Sequence, residues 1–394
     1  MNKYWFTIYP HCFLWVKGEE GLVYNTQTYA KIRFHNIGVL KKKTELLTAM
    51  ENLYCIHLTE DELKDKFLNE WIQSMIAQDS GLLVEDNGIN KRPLSLPPIL
   101  KVQDEADYYQ WEHKQGIDGN VIDFLHRIIF HINGSKYGNE LFAKQILFPV
   151  HTTQSLSSDD LIRFAMNSRN SSFLAEISLV GDLPAYKDLE QVIETLHKIC
   201  PVSLYCTYQD AIASVDKIRK LSAKANLHII VTGDCTFDRM PLDAIYTFVV
   251  TSEQEYETAI KYEQTQKLKH IEIIPVYNAN NIHFLEDNLY LDEKDIQQIT
   301  WSKREIFIHQ KLNIKDFGQL TIMPDGKVYS NPALHCIGNI QEAPHSIVYN
   351  EIVNGHSWLR IRNEKPCCNC IYQWLCPPPS HYEDVIGKAN LCHI

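Results

Sequence analysis

The chain has no surplus of basic residues: 38 Lys and Arg stand against 49 Asp and Glu, a formal net charge of −11 over 394 residues. A general nucleic-acid binder needs a basic face to neutralise phosphates, so the balance argues against that class. The run Lys41-Lys42-Lys43 reads as solvated helix surface. No apolar stretch approaches the ~20 residues a membrane-spanning helix requires. Met1-Asn2-Lys3-Tyr4-Trp5 leads to Pro10, His11, Lys17 and Glu19 without an apolar core or a small-residue cleavage site. A cytosolic chain is expected, with neither nucleic acid nor membrane as partner. Also missing are a Gly-rich phosphate loop, a nucleophile elbow, a distinctive carboxylate pair and a His-x3-His pair. His11, His35, His126, His131, His335 and His356 are scattered and read as structural. There is no internal repeat or low-complexity segment.

What is present is an ordinary globular composition, 45% hydrophobic and 22% charged, on a chain long enough for two or three domains. Residues 1–88 read as a small α+β unit. Phe13–Val16 and Leu22–Asn25 flank a Gly18-to-Gly21 turn, and Tyr29–His35 alternates like a third strand. A helix is expected over Lys42–Leu53. A second is announced by the capping box Thr59-Glu-Asp-Glu62, with Leu63, Phe67, Leu68, Trp71, Ile72 and Met75 as its apolar stripe. Residues 89–118, with Pro93 and Pro97-Pro98, form a linker.

From 119 to 310 strands and helices alternate. Strands are expected at Leu125–Asn133, Phe173–Val180, Val202–Cys206, Leu227–Thr232, Ile245–Val250, His270–Val276 and Glu305–His309. Repeated β-α units imply a parallel sheet, hence an α/β fold with a partial or complete barrel. Residues 311–394 change style. A hairpin turns at Pro324-Asp325-Gly326, and a cysteine-rich tail follows.

Of eleven cysteines, Cys336, Cys367, Cys368, Cys370, Cys376 and Cys392 crowd the end. In a reducing cytosol that crowding reads as metal ligation rather than disulfides. Cys367-x2-Cys370 lets two thiolates of one turn reach a common centre, and Cys376 and Cys392 complete a shell of four. Such a shell suits a [4Fe–4S] cluster or, as the alternative, zinc. Cys368 competes with Cys367 for the first position, although the two-residue spacer favours Cys367.

The tail, Cys367-x2-Cys370-x5-Cys376-x3-Ser380 and then Cys392, resembles the C-terminal SPASM domain of radical-SAM peptide-modifying enzymes, whose pattern is Cys-x2-Cys-x5-Cys-x3-Cys followed by a last Cys. The resemblance implies one outer cluster. Ser380 replaces a ligand of a neighbouring cluster, and Ser330 and Asn331 stand where a further cysteine often follows the hairpin. Gly326–Ser330 and Ile337–Ile340 are also similar to that domain. A radical-SAM enzyme carries Cys-x3-Cys-x2-Cys after its first barrel strand, but no cysteine lies between Cys55 and Cys200. Val180-Gly181-Asp182-Leu183-Pro184 resembles a degraded methionine-binding turn of that family.

With Tyr4-Trp5-Phe6, Tyr24-Asn25-Thr26 and Cys376–Glu383, the chain resembles the pseudo-radical-SAM proteins of Bacteroidales peptide-maturation systems. The resemblance implies a non-catalytic accessory that binds a ribosomal precursor peptide, partners an active radical-SAM maturase and uses no S-adenosylmethionine. The N-terminal unit is similar to a winged-helix-like leader-recognition element, which takes an extended peptide by strand addition. Tyr29–His35 would be the edge, with Ile32 and Phe34 as binding residues. An enzyme using other chemistry in the barrel pocket, or a zinc-stabilised peptide-binding protein, are the alternatives.

Overall fold

In the computed structural model, which describes residues 2–99, 105–115, 120–233, 235–238, 242–266, 268, 271–355 and 357–394, three sheets organise the chain. Six strands belong to the N-terminal part: β1 (Lys3–Ile8), β2 (Cys12–Lys17), β3 (Glu20–Asn25), β4 (Lys31–His35), β5 (Cys55–Thr59) and β6 (Gly81–Glu85). They form two antiparallel sheets, ordered β5-β1-β6 and β2-β3-β4. The first depends on pairing residues more than fifty positions apart, Tyr4 with Leu58 and with Glu85. Local pattern carries no record of such partners.

The helices of this part differ from expectation in their starts. The first runs over Gly38–Thr48. The reciprocal bonds of the Thr59/Glu62 box are present, at 2.9 and 3.3 Å, but they cap only a short 3-10 turn, Glu62–Lys64. Asp65 starts the main helix, Lys66–Ala77, by accepting from the Leu68 amide at 3.0 Å. Its buried stripe is therefore Leu68, Trp71, Ile72 and Met75, while Phe67, at the stripe's margin, is 44% exposed.

The third sheet contains β7 (Arg127–His131), β8 (Glu176–Val180), β9 (Val202–Thr207), β10 (Asn226–Thr232), β11 (Ile245–Val250), β12 (Ile271–Pro275), β13 (Gln319–Ile322), β14 (Lys327–Tyr329) and β15 (Gly338–Asn339). Its order is β12-β11-β10-β9-β8-β7-β13-β14-β15, parallel from β12 through β13. The fold is thus α/β, with a mostly parallel sheet in the manner of a partial barrel. Six of the seven expected strands appear; His270, the expected start of β12, lies outside the described residues, as does His356. The seventh, Glu305–His309, is a helix, Lys303–His309. Ser302 and Glu305 close a capping box at its start, and Ile306 and His309 turn one face inward at helical spacing.

A helix, Glu105–Lys114, also stands inside the expected linker. Its sequence contains neither Gly nor Pro, and Tyr109 and His113 pack on Phe124 and Tyr349. No described helix is long and apolar enough to cross a membrane.

The outer face of the large sheet buries an apolar row, including Ile128, Phe130, Leu179, Leu204 and Ile229, beneath the helices. The inner face buries Ile129, Val180, Ile230 and Val249 against Ala143, Phe148 and Val150 of the segment that follows β7. That segment enters the barrel because its sequence, Leu141-Phe-Ala-Lys-Gln-Ile-Leu-Phe-Pro-Val150, is mostly apolar. Gln145 holds it to the end of β12 by paired bonds with the Tyr277 backbone, at 2.7 and 2.8 Å. A Cβ at Gly138 would lie 2.2 Å from the Val150 carbonyl, so this close backbone approach requires glycine.

Candidate metal centre and peptide-binding edge

The tail has little regular structure of its own, a 3-10 turn at Cys367–Asn369 and a helix at His381–Ile386 capped by Ser380 and Glu383. Packing and polar bonds hold the rest. Ile371, Tyr372 and Leu375, between the second and third cysteines of the motif, are 7%, 2% and 0% exposed. Asn313 donates to the Pro379 carbonyl at 2.9 Å, and Trp301 donates its Nε1–H to the Leu375 carbonyl at 2.8 Å.

Cys367, Cys370, Cys376 and Cys392 are all reduced and partly buried. Burial pushes the Cys376 thiol up to about 12; Arg362 opposes the rise, while Cys370, Cys392 and Cys367 add to it. Burial likewise raises Cys370, with Cys392 and Cys367 adding to the rise. The four thiols therefore share one electrostatic neighbourhood. The Sγ of Cys368 lies 3.6 Å from Asn369 Oδ1. Among the described residues, no group of three or more His, Cys, Asp or Glu side chains is placed to hold a metal ion. The thiols are neighbours without converging on one point.

Arg362 was not singled out from sequence, though it lies five residues before Cys367 in Trp358-Leu-Arg-Ile-Arg362. It is 9% exposed and pairs with Glu383, 4% exposed, at 2.9 Å. It also donates to the Pro377 carbonyl, and its Nη1 lies 3.7 Å from Cys367 Sγ. Its charge opposes the rise at Cys376, toward the thiolate form that binds metal. The proline triplet is thus anchored through its carbonyls, having no N–H to offer.

Ser330 and Asn331, where a further cysteine was sought, are buried in a different construction. Asn331 donates to Asp316 at 3.3 Å and to Asp384 at 3.0 Å. Asp316 also meets Ser357 and, at 2.6 Å, His381, while Arg360 grips both oxygens of Asp384. Most buried polar groups there are satisfied by one another, Arg360 Nε excepted. Cys336 is exposed, with its Sγ 3.0 Å from the Gly338 carbonyl.

The β2-β3-β4 sheet has two occupied faces. Cys12, Leu14, Val23, Ile32 and Phe34 enter the N-terminal core, where Phe34 meets Trp71 at 5.2 Å. Ile32 and Phe34 are each 8% exposed, so their side chains are core residues. Phe13, Leu22 and Tyr24 on the reverse face pack with Ile371, Tyr372 and Leu375 of the tail. β4 pairs with β3 alone among the described strands. Bonds from Asn36 N to Glu19 O (2.7 Å) and from Asn25 N to Ala30 O (3.0 Å) fix the ladder's phase. By antiparallel alternation, Ile32 and Phe34 bond toward β3, and Lys31, Arg33 and His35 turn their backbone groups to the open edge.

At the C-terminal mouth of the parallel strands a cavity of about 410 Å³ is lined by Lys136, Tyr137, Asn139, Gln209, Thr251 and Glu255, among others. Glu255 is already engaged, accepting from the Thr251 amide at 2.6 Å and hydroxyl at 2.9 Å.

No family model and no curated protein matches the chain. Ten solved chains match by structure. They include a crystal structure of Streptococcus suis SuiB bound to precursor peptide SuiA, 10% identical at a TM-score of 0.37, with 99% of this chain and 98% of that chain covered.

Proposed function

We propose that the chain is a non-catalytic accessory in ribosomal peptide modification, with one [4Fe–4S] cluster on Cys367, Cys370, Cys376 and Cys392 and an active radical-SAM maturase as its partner. In this reading the N-terminal unit is a leader-recognition element, the body a degenerate radical-SAM-like barrel, and the end a SPASM-like domain. The observation that carries the reading is the apolar segment 142–150 seated inside the barrel. It follows the first strand, where a radical-SAM enzyme would carry its three-cysteine loop, and it fills the interior with Phe148 and Val150.

Four thiols suit a [4Fe–4S] cluster, and zinc as the alternative. The resemblance of the tail to a SPASM domain favours the cluster. Bound there, the cluster would fix the tail and offer one-electron chemistry. The chain's own contribution is to supply the thiolates, with the Arg362 charge beside them, and to keep one side covered by apolar packing.

The precursor would add a strand at β4, by backbone bonds to Lys31, Arg33 and His35. The test uses synthetic peptides of the short reading frames that flank the gene, labelled for anisotropy. Arg33→Pro removes one outward N–H without touching the β3 ladder, and proline is tolerated on such an edge. Affinity by fluorescence anisotropy should fall about tenfold or more in Arg33→Pro and little in Arg33→Ala, with both variants retaining iron. Equal affinity in all three proteins rejects the edge as the binding site. Iron and sulfide counts after anaerobic reconstitution, with absorption near ~400 nm, test the cluster; zinc alone would reject it.

The polar mouth cavity supports a second reading, an enzyme using other chemistry in the barrel. Turnover of the precursor by the chain without any maturase would favour it.

A further inference from the structure

The sheet that offers the β4 edge and the turn that carries two of the cysteines are two sides of one core. Between Cys370 and Cys376, the side chains of Ile371, Tyr372 and Leu375 lie against Leu22 and Tyr24 of β3 and Phe13 of β2. All six are at most 7% exposed. Polar bonds stitch the same boundary. Lys17 Nζ at the end of β2 donates to the Cys368 carbonyl at 2.7 Å. Glu293 accepts from Tyr372 OH at 2.8 Å and, through the same oxygen, from Arg33 of β4 at 2.9 Å. Tyr24 OH donates to the Trp301 carbonyl at 2.7 Å, and Trp301 in turn holds the Leu375 carbonyl.

We infer that occupancy of the cysteine centre governs the order of the β2-β3-β4 sheet, and through it the competence of the β4 edge to accept a strand. The physical reason is a difference in constraint. The Cys370–Cys376 turn contains no helix or strand, so its shape depends on side chains: those of the sheet it covers, Ile296 and Ile306 in the same core, the bonds from Trp301 and to Arg362, and whatever its cysteines bind. A structural metal site contributes its binding energy to folding. Stripping it removes the restraint at both ends of the turn, weakens the cover that Ile371, Tyr372 and Leu375 give Phe13, Leu22 and Tyr24, and so loosens that face of the sheet while Ile296 and Ile306 stay in place. Coupling is reciprocal, so a peptide seated on β4 also steadies the metal. The stronger links are the buried apolar contacts; the Arg33–Glu293 pair is exposed and contributes little.

This inference rests on the reading of the tail as a metal centre, and its test separates the two. The full chain is reconstituted with iron and sulfide, half is stripped with oxidant and chelator, and amide hydrogen exchange is followed in both. Exchange of the Ile32 and Phe34 amides, which point at β3, should accelerate about tenfold or more on stripping, within the usual range of coupling between sites. Amides of β8, β9 and β10 should keep their rates. Unchanged exchange at β4 in a chain shown to have held iron overturns the inference alone. A uniform rise through β8–β10 overturns it too, since the metal then supports the whole molecule and not this sheet. A chain that takes up no iron overturns the metal reading and the inference together. Loss of peptide binding plays no part in the readout, so failure of the strand-addition reading would leave the metal's control of the sheet standing and remove only its consequence for the edge.

Discussion

His131 ends β7 with its imidazole 1% exposed and its Nδ1 without a hydrogen-bond partner among the described residues. Burial pulls its pKa from 6.5 down to about 4. Between those values the unfolded chain binds a proton that the folded chain refuses, so protonation favours unfolding. The stabilising contribution is complete above about pH 6.5 and is lost as pH falls toward 4; by linkage it amounts to about 3 kcal/mol at most. Urea midpoints for the native chain should therefore fall between pH 7 and 4.5, and His131→Leu should flatten that part of the profile. An equally steep decline in the variant would assign the acid sensitivity to other groups. Nothing in the sequence separated His131 from the other scattered histidines, because burial of one polar residue depends on what folds over it.

Among elements, the segment after β7 has the most to answer for. Phe148 is 1% exposed and contacts Phe142 edge-on at 5.4 Å. Phe148→Ala should cost about 3–5 kcal/mol, the usual penalty for an emptied aromatic site, read as a lowered denaturant midpoint. A loss under about 1 kcal/mol would mean that the segment is not packed as a plug. The parallel strands were legible because each is a short apolar run between helical stretches, as in Val202–Thr207. The Gln319–Tyr329 hairpin was legible from its Pro-Asp-Gly turn, where Gly326 has φ of +84°. Lys303–His309 was misread because seven residues with Ile306 and Ile308 fit either period, and the deciding signal was the Ser302/Glu305 box. The pairing of β1 with β5 and β6 was invisible, since strand partnership is set by the whole fold. Likewise Cys367–Cys370 spacing marked the tail, but Arg362 and the Asp316 network gather residues from separate stretches and leave no local pattern.

On the scale of the whole molecule, the cysteine tail is a shared support. If its binding energy enters folding, Cys370→Ala should strip the iron and lower the melting temperature, while Cys368→Ala should retain both. Iron per chain and thermal melts of the two variants, side by side, check the assignment. Equal iron loss in Cys368→Ala would make Cys368 the first ligand.

The place of β13 has a consequence for any attempt to dissect the chain. Gln319–Ile322 lies parallel beside Arg127–His131 and joins β7 to the antiparallel strands β14 and β15 on that flank. A fragment ending before Gln319 would leave a bare row of amides and carbonyls along β7, the kind of exposed margin on which strands from other molecules stack. The body and the cysteine-bearing end are therefore not interchangeable cassettes. Cutting between them exposes the margin of one to aggregation.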